Sequence, residues 1–196
     1  MSEIEISRRD VLRAIGVTVV LPLEAAQHVH QAVAEEKKKT GPYKPKCFNE
    51  REYRTLTKLA GLIIPSDERS KGAVEAGAPE FIDFLASRNE KLADIFTGGL
   101  GWIDHEMRRR YAAGFVEASP EQQTALLDLI VGAKNDKPEI APGIRFFPWV
   151  RNLVLDAFYT SKIGMDDLGY MGNGAMSSFS VPREAIDYAL KGSPNP

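Results

Sequence analysis

The chain has 196 residues, 25 Lys plus Arg against 27 Asp plus Glu, a formal net charge of -2 and 43% hydrophobic residues. That balance excludes an intrinsically disordered chain and gives no electrostatic footing for nucleic acid or an anionic membrane surface. One cysteine and three histidines, with CxxC and CxxCH absent, exclude an internal disulfide, a zinc knuckle, a cysteine-held iron–sulfur cluster and covalent haem.

The first element in chain order is an address. Ser7-Arg8-Arg9-Asp10-Val11-Leu12-Arg13 pairs two arginines ahead of an apolar run, the pattern of a twin-arginine export signal. Arg8 and Arg9 carry it; Val11 stands in a slot that commonly holds Phe. Ala14 to Leu23 is apolar but broken by Pro22, and a bilayer-spanning helix needs about 20 apolar residues. Ala32-Val33-Ala34 is a small-x-small cleavage site, so residues 1–34 are expected to be removed, His28 and His30 with them. The competing reading is an amphipathic N-terminal helix with two arginines. The signal places the protein in the bacterial periplasm, exported already folded, and held at a membrane only through partners.

Residues 35–48 read as an extended arm, polar and interrupted by Pro42 and Pro45. Cys47 lies on it. An unpaired cysteine in an exported protein is either a free thiol or one half of a disulfide to a partner. Residues 49–196 read as a single helical domain. Asn49 and Glu52 form a capping box for a helix carrying Leu56, Leu59, Ala60, Ile63 and Ile64, which ends near Pro65. Pro79 opens a second helix with Phe81, Ile82, Phe84 and Leu85. A third runs from Asn89 or Glu90 to about Tyr111. It contains Gly98, Gly99 and Gly101, which imply a kink, a break or a place where another backbone must come close. Arg108-Arg109-Arg110 suits the negative end of that helix. Ser119-Pro120-Glu121-Gln122 is a helix start, and Pro148 to Thr160 and Val181 to Leu190 read as the last two helices. The spacing predicts an all-α fold, an irregular bundle of about six helices.

Between Thr160 and Ser180 the chain reads as a long loop mixing Gly, Met and aromatics. Such a loop cannot form its own core and suits an interface. Tyr159, Lys162, Met165, Leu168, Tyr170, Met171 and Phe179, together with Cys47, are the candidate partner-interface residues. Asp166-Asp167 lacks the alternating oxygen ligands of a calcium loop. His105, flanked by Asp104 and Glu106, is the remaining proton-transfer candidate and reads as an ordinary helix residue. The glycine clusters lack GxGxxG after a strand, so no dinucleotide or flavin site is read here. No catalytic, cofactor-binding or metal-ligating residue is assigned.

Leu59–Arg69 (LAGLIIPSDER), Gly77–Leu85 (GAPEFIDFL) and Phe158–Asn173 (FYTSKIGMDDLGYMGN) resemble the gluconate 2-dehydrogenase subunit 3 family. The resemblance implies a non-catalytic small subunit. Its partner would be a large FAD-containing dehydrogenase of the glucose–methanol–choline type acting on a sugar or sugar acid, with a cytochrome c carrying haem as a possible electron acceptor. It also implies a chaperone-like role, escorting that partner through the twin-arginine translocase. Two other readings stay open: an independent enzyme using carboxylates, and a free-standing exported binding or assembly protein without a flavoprotein partner.

Overall fold

A helix leaves its first amides without partners, and the side chains of Asn49, Asn89, Ser119 and Ser161 take one up at four of the described helix starts. The computed structural model describes residues 23–131, 138–170 and 181–191. Among these stand eight helices and no strand. Helix α1 is Leu23–Thr40. Helix α2 (Glu50–Ile63) starts at the predicted capping box, with the Glu52 amide donating to Asn49 and the Asn49 amide donating to Glu52, both at 3.0 Å. Helix α3 is Ala78–Ala86, and α4 is Glu90–Tyr111 with Asn89 as its cap. Ser119 and Gln122 box the start of α5 (Pro120–Ile130). Helix α6 is Ala141–Tyr159, α7 is Lys162–Leu168 and α8 is Arg183–Lys191.

The long helices α4 and α6 pack on each other and form the middle of the bundle; α2 and α3 lie against both, and α1 lies on α3. Phe81, Phe96, Phe115, Phe158, Leu56, Leu59, Ile103 and Met107 are fully buried between them. Of the three glycines of α4, Gly99 serves this packing, and Gly98 and Gly101 face open space. The helix runs unbroken through them, and a Cβ on Gly99 would lie 2.1 Å from the Phe146 ring. The close approach anticipated at the glycines is thus a side chain, and Phe146 meets Phe96 edge-on with ring centroids 5.4 Å apart.

Helix α6 begins earlier than Pro148, the predicted start. A proline inside a helix removes one backbone bond and costs about 3 kcal/mol. The two turns before it bury Phe146 and Phe147, which offsets that cost. Part of the predicted long loop is helical as well, because Lys162–Leu168 forms α7. Met171 and Phe179 lie outside the described residues.

The N-terminal region also differs from expectation. Residues 35–40 complete α1 rather than beginning an extended arm. The stretch from Gly41 to Asn49 is non-helical but fixed. Asp83, 0% exposed on α3, holds it through four donors. Tyr43 Oη and the Lys46 amide donate to Asp83 Oδ2 at 2.8 Å, and the amides of Cys47 and Phe48 donate to Oδ1 at 3.0 Å. A carboxylate is costly to bury unless its lone pairs are filled, and here they are. Burial, then the bond and charge of Asp83, push the Tyr43 phenol well above its ordinary pKa.

Two acids on α4 act in the same way. Asp104 accepts from the Phe115 amide at 2.9 Å and pairs with Arg51 of α2. Glu106 accepts from Arg109 at 2.7 and 2.8 Å and from Arg110 at 2.6 Å. The Arg109 bonds, joined by Arg110, hold the Glu106 carboxyl down at about 2 against the opposing effect of burial. Two of the three consecutive arginines are therefore tied to their own helix.

Asp83→Ala leaves the buried Phe48 amide, the part-buried amides of Lys46 and Cys47 and the Tyr43 phenol without their acceptor. At about 1–3 kcal/mol for each unsatisfied buried group, we expect urea unfolding to show a loss of about 3 kcal/mol or more. A loss below about 1 kcal/mol would mean that the 43–48 segment does not depend on this carboxylate.

Candidate functional site

The sequence places the candidate surface at the end of α6 and beyond it. Ser161, 6% exposed, turns the chain there. Its hydroxyl donates to the Phe158 carbonyl at 2.7 Å and accepts from the Gly164 amide at 3.1 Å, which caps α7. Gly164 allows α7 to come this close, since a Cβ there would lie 2.1 Å from the Phe158 carbonyl oxygen. The helix ends on Gly169, which takes the left-handed conformation at φ 64°, and the Tyr170 amide donates back to the Met165 carbonyl at 3.1 Å. This short helix is thus fixed at both ends.

The predicted interface residues separate into two groups on this frame. Tyr159 and Met165 are half-buried, and the Tyr159 ring meets its own neighbour Phe158 edge-on at 5.0 Å. Lys162, Leu168 and Tyr170 are exposed. Leu168 is 50% and Tyr170 51% exposed, large apolar groups that the protein's own core does not cover. Lys162 pairs with Asp166 one turn on at 2.6 Å. It also lines a cleft of about 280 Å³ with His30 and Lys37 of α1 and with Glu75.

Cys47 is not on a free arm. Its amide is held by Asp83, and its side chain is partly buried against the core. Burial, and behind it the charges of Asp83 and Glu52, push its thiol up from the ordinary value. That suppresses the thiolate, the species that attacks disulfides and thiol reagents. His105 is exposed on α4, away from the buried faces of its neighbours Asp104 and Glu106. Among the described residues no three His, Cys, Asp or Glu side chains gather as a metal site would require. No helix among them is long and apolar enough to cross a membrane.

Sequence reasoning placed α8 but assigned it no role. No residue of α8 is buried. Ile186 and Leu190, one turn apart, are 40% and 63% exposed, Tyr188 is 80% exposed, and Val181 just ahead is 44% exposed. Ile186, Ala189 and Leu190 fall on one side of the helix, while Arg183 and Asp187 pair at 3.6 Å. An amphipathic spacing that meets no core is the available signal, and it becomes informative only once the core is known. A second apolar opening, a groove of about 550 Å³, runs along α2 beside Tyr53, Thr57, Leu62 and Val116.

A match to the family described as gluconate 2-dehydrogenase subunit 3 spans residues 50–176. The chain belongs to the gluconate 2-dehydrogenase subunit 3 family. The matched span runs from the first residue of α2 through α7, and so takes in Asp83, the core of α4 and α6, and the exposed Leu168 and Tyr170. The family is named for an accessory component of a dehydrogenase complex. No curated protein and no solved structure matches the chain.

The state of Cys47 is open to direct measurement. We expect its rate of modification by a soluble disulfide reagent to be several-fold below that of a free cysteine peptide at pH 8, with an apparent pKa above the ordinary thiol value. A rate equal to the peptide's, or an apparent pKa below it, would contradict the burial described.

Proposed function

We propose that this chain is the non-catalytic small subunit of a periplasmic, FAD-dependent sugar or sugar-acid dehydrogenase of the glucose–methanol–choline type. Its task is to assist folding of the large flavoprotein subunit and to carry it through the twin-arginine translocase. Family membership supports the dehydrogenase partner, and Arg8-Arg9 in its sequence setting supports the export route. The observation that carries the reading is the set of large apolar groups left outside the core toward the C-terminal end of the described chain, Leu168, Tyr170, Ile186 and Leu190; Leu23, Val131 and Trp149 are exposed elsewhere in the sequence.

The physics of the escort is direct. A flavin is loaded where it is made, so a flavoprotein has to cross the membrane folded. One export signal serves two chains only if they bind before transport and stay bound. That requires an interface of at least the standard 1,200–2,000 Å² class, with a desolvated apolar centre and a polar rim. Tyr159, Met165, Leu168 and Tyr170, continued by Met171 and Phe179 in sequence, supply the centre. Lys162 supplies part of the rim. Cys47 is a secondary candidate for a covalent link, reached only if the partner opens its half-buried site.

FAD belongs to the partner in this reading. The sequence lacks a GxGxxG turn after a strand, and among the described glycines Gly99 is filled by the Phe146 ring and Gly143 by Trp102. A cytochrome c subunit is a possible acceptor of the electrons.

The test replaces Arg8 and Arg9 together by Lys in the source organism, with a tag at the C-terminus. The unmodified tagged chain is expected to co-purify from the periplasm with a flavin-containing protein that oxidises a sugar or sugar acid. The Lys-Lys variant is expected to lose at least about 90% of that periplasmic activity. A tagged chain without a flavoprotein, or full periplasmic activity in the variant, would overturn the reading.

A further inference from the structure

Helix α1 was expected to be cut in two by removal of the export signal, and its contacts argue otherwise. Ala26, Val29, His30 and Val33 lie three, four and seven apart, one face of a helix. Ala26 is 0%, Val29 8% and Val33 7% exposed. The His30 ring lies against that of Phe81 on α3, with centroids 4.9 Å apart. His30 Nε2 is 3.1 Å from Thr160 Oγ1 at the end of α6, and Thr160 gives its own proton to the Asp156 carbonyl at 2.6 Å. Burial lowers the His30 pKa, as expected of a neutral ring packed inside. Further along, Lys37 pairs with Glu80 of α3 at 2.8 Å, and Lys46 pairs with Glu36.

We propose that α1 is a permanent helix of the folded protein, that the Ala34–Glu35 bond is not hydrolysed during export, and that any processing occurs before Leu23. Ala34 and Glu35 face outward, but the bond between them lies within the helix, and proteolysis concentrates where the backbone is unpaired. Cutting there would remove Ala26, Val29, His30 and Val33, uncover Phe81, and leave residues 35–40, too short a piece to hold a helix alone. Ala32-Val33-Ala34 thus resembles a peptidase site in composition, but it lies inside a helix whose Val33 is buried against the core. The inference stands on these contacts and does not depend on the export reading.

The test is intact mass and N-terminal sequencing of the full chain, produced in a bacterium with a twin-arginine translocase and recovered from periplasm and cytoplasm separately. Periplasmic protein is expected to begin at or before Leu23, and an N-terminus beyond Leu23 overturns the inference. If the chain stays uncut in the cytoplasm, the export reading fails and a second measurement decides this one. The melting temperature of a chain beginning at Leu23 is compared with that of one beginning at Glu35, and with Val29→Asp in the full chain. A fall of at least about 5 °C in both, or loss of the cooperative transition, is expected for a helix that belongs to the core. A smaller fall in either overturns the inference.

Discussion

The Asp83 carboxylate is the constraint on which the N-terminal half depends. It is buried on α3 with a charge that no solvent reaches, and it is stable there only because a non-helical segment wraps its amides around it. Satisfying that charge fixes residues 43–48. Fixing them sets where α1 ends and where α2 begins, because Gly41 and Asn49 lie just outside the clamp. Asp104 repeats the device for the turn after α4, where it receives the Phe115 amide. Side-chain acids on helices thus organise the chain between helices. An apolar residue at either position would pack as well and position nothing.

The parts of the fold that were legible in sequence are those governed by local chemistry. Asn49 with Glu52, Asn89, and Ser119 with Gln122 mark helix starts because a cap and its target amide are three residues apart. The parts that were not legible depend on partners distant in sequence. Asp83 sits in an apolar run with no local signal that it points inward; the amides that hold it there are 35–37 residues earlier. Gly99 announces that something comes close, but only the fold names Phe146. Helix α6 was read too short because a proline is a locally reasonable helix start, and the burial that overrides it is tertiary.

The candidate surface was legible to the same degree. Tyr170 and Leu168 stand exposed at the end of the Phe158–Asn173 segment whose composition drew attention, while Tyr159 and Met165 from the same stretch are partly absorbed by the protein's own packing. Cys47 looked accessible because prolines flank it, and Asp83 holds its backbone close to the core instead. Helix α8 escaped attention because a nine-residue amphipathic helix normally covers something. Here every residue of it is exposed. The result is a helical core that leaves large apolar groups outside it, Leu168, Tyr170, Ile186 and Leu190 among them, the arrangement expected of a subunit rather than of a free-standing domain.

Hydrogen exchange by mass spectrometry, on the isolated chain and on the chain bound to the flavoprotein partner proposed above, bears on this most directly. The account predicts that amides of residues 162–170 and 183–191 exchange quickly in the isolated chain and are slowed at least about tenfold in the complex, with α4 and α6 unchanged. Equal exchange of both segments in an intact complex would contradict it, and would place the partner on another face of the bundle.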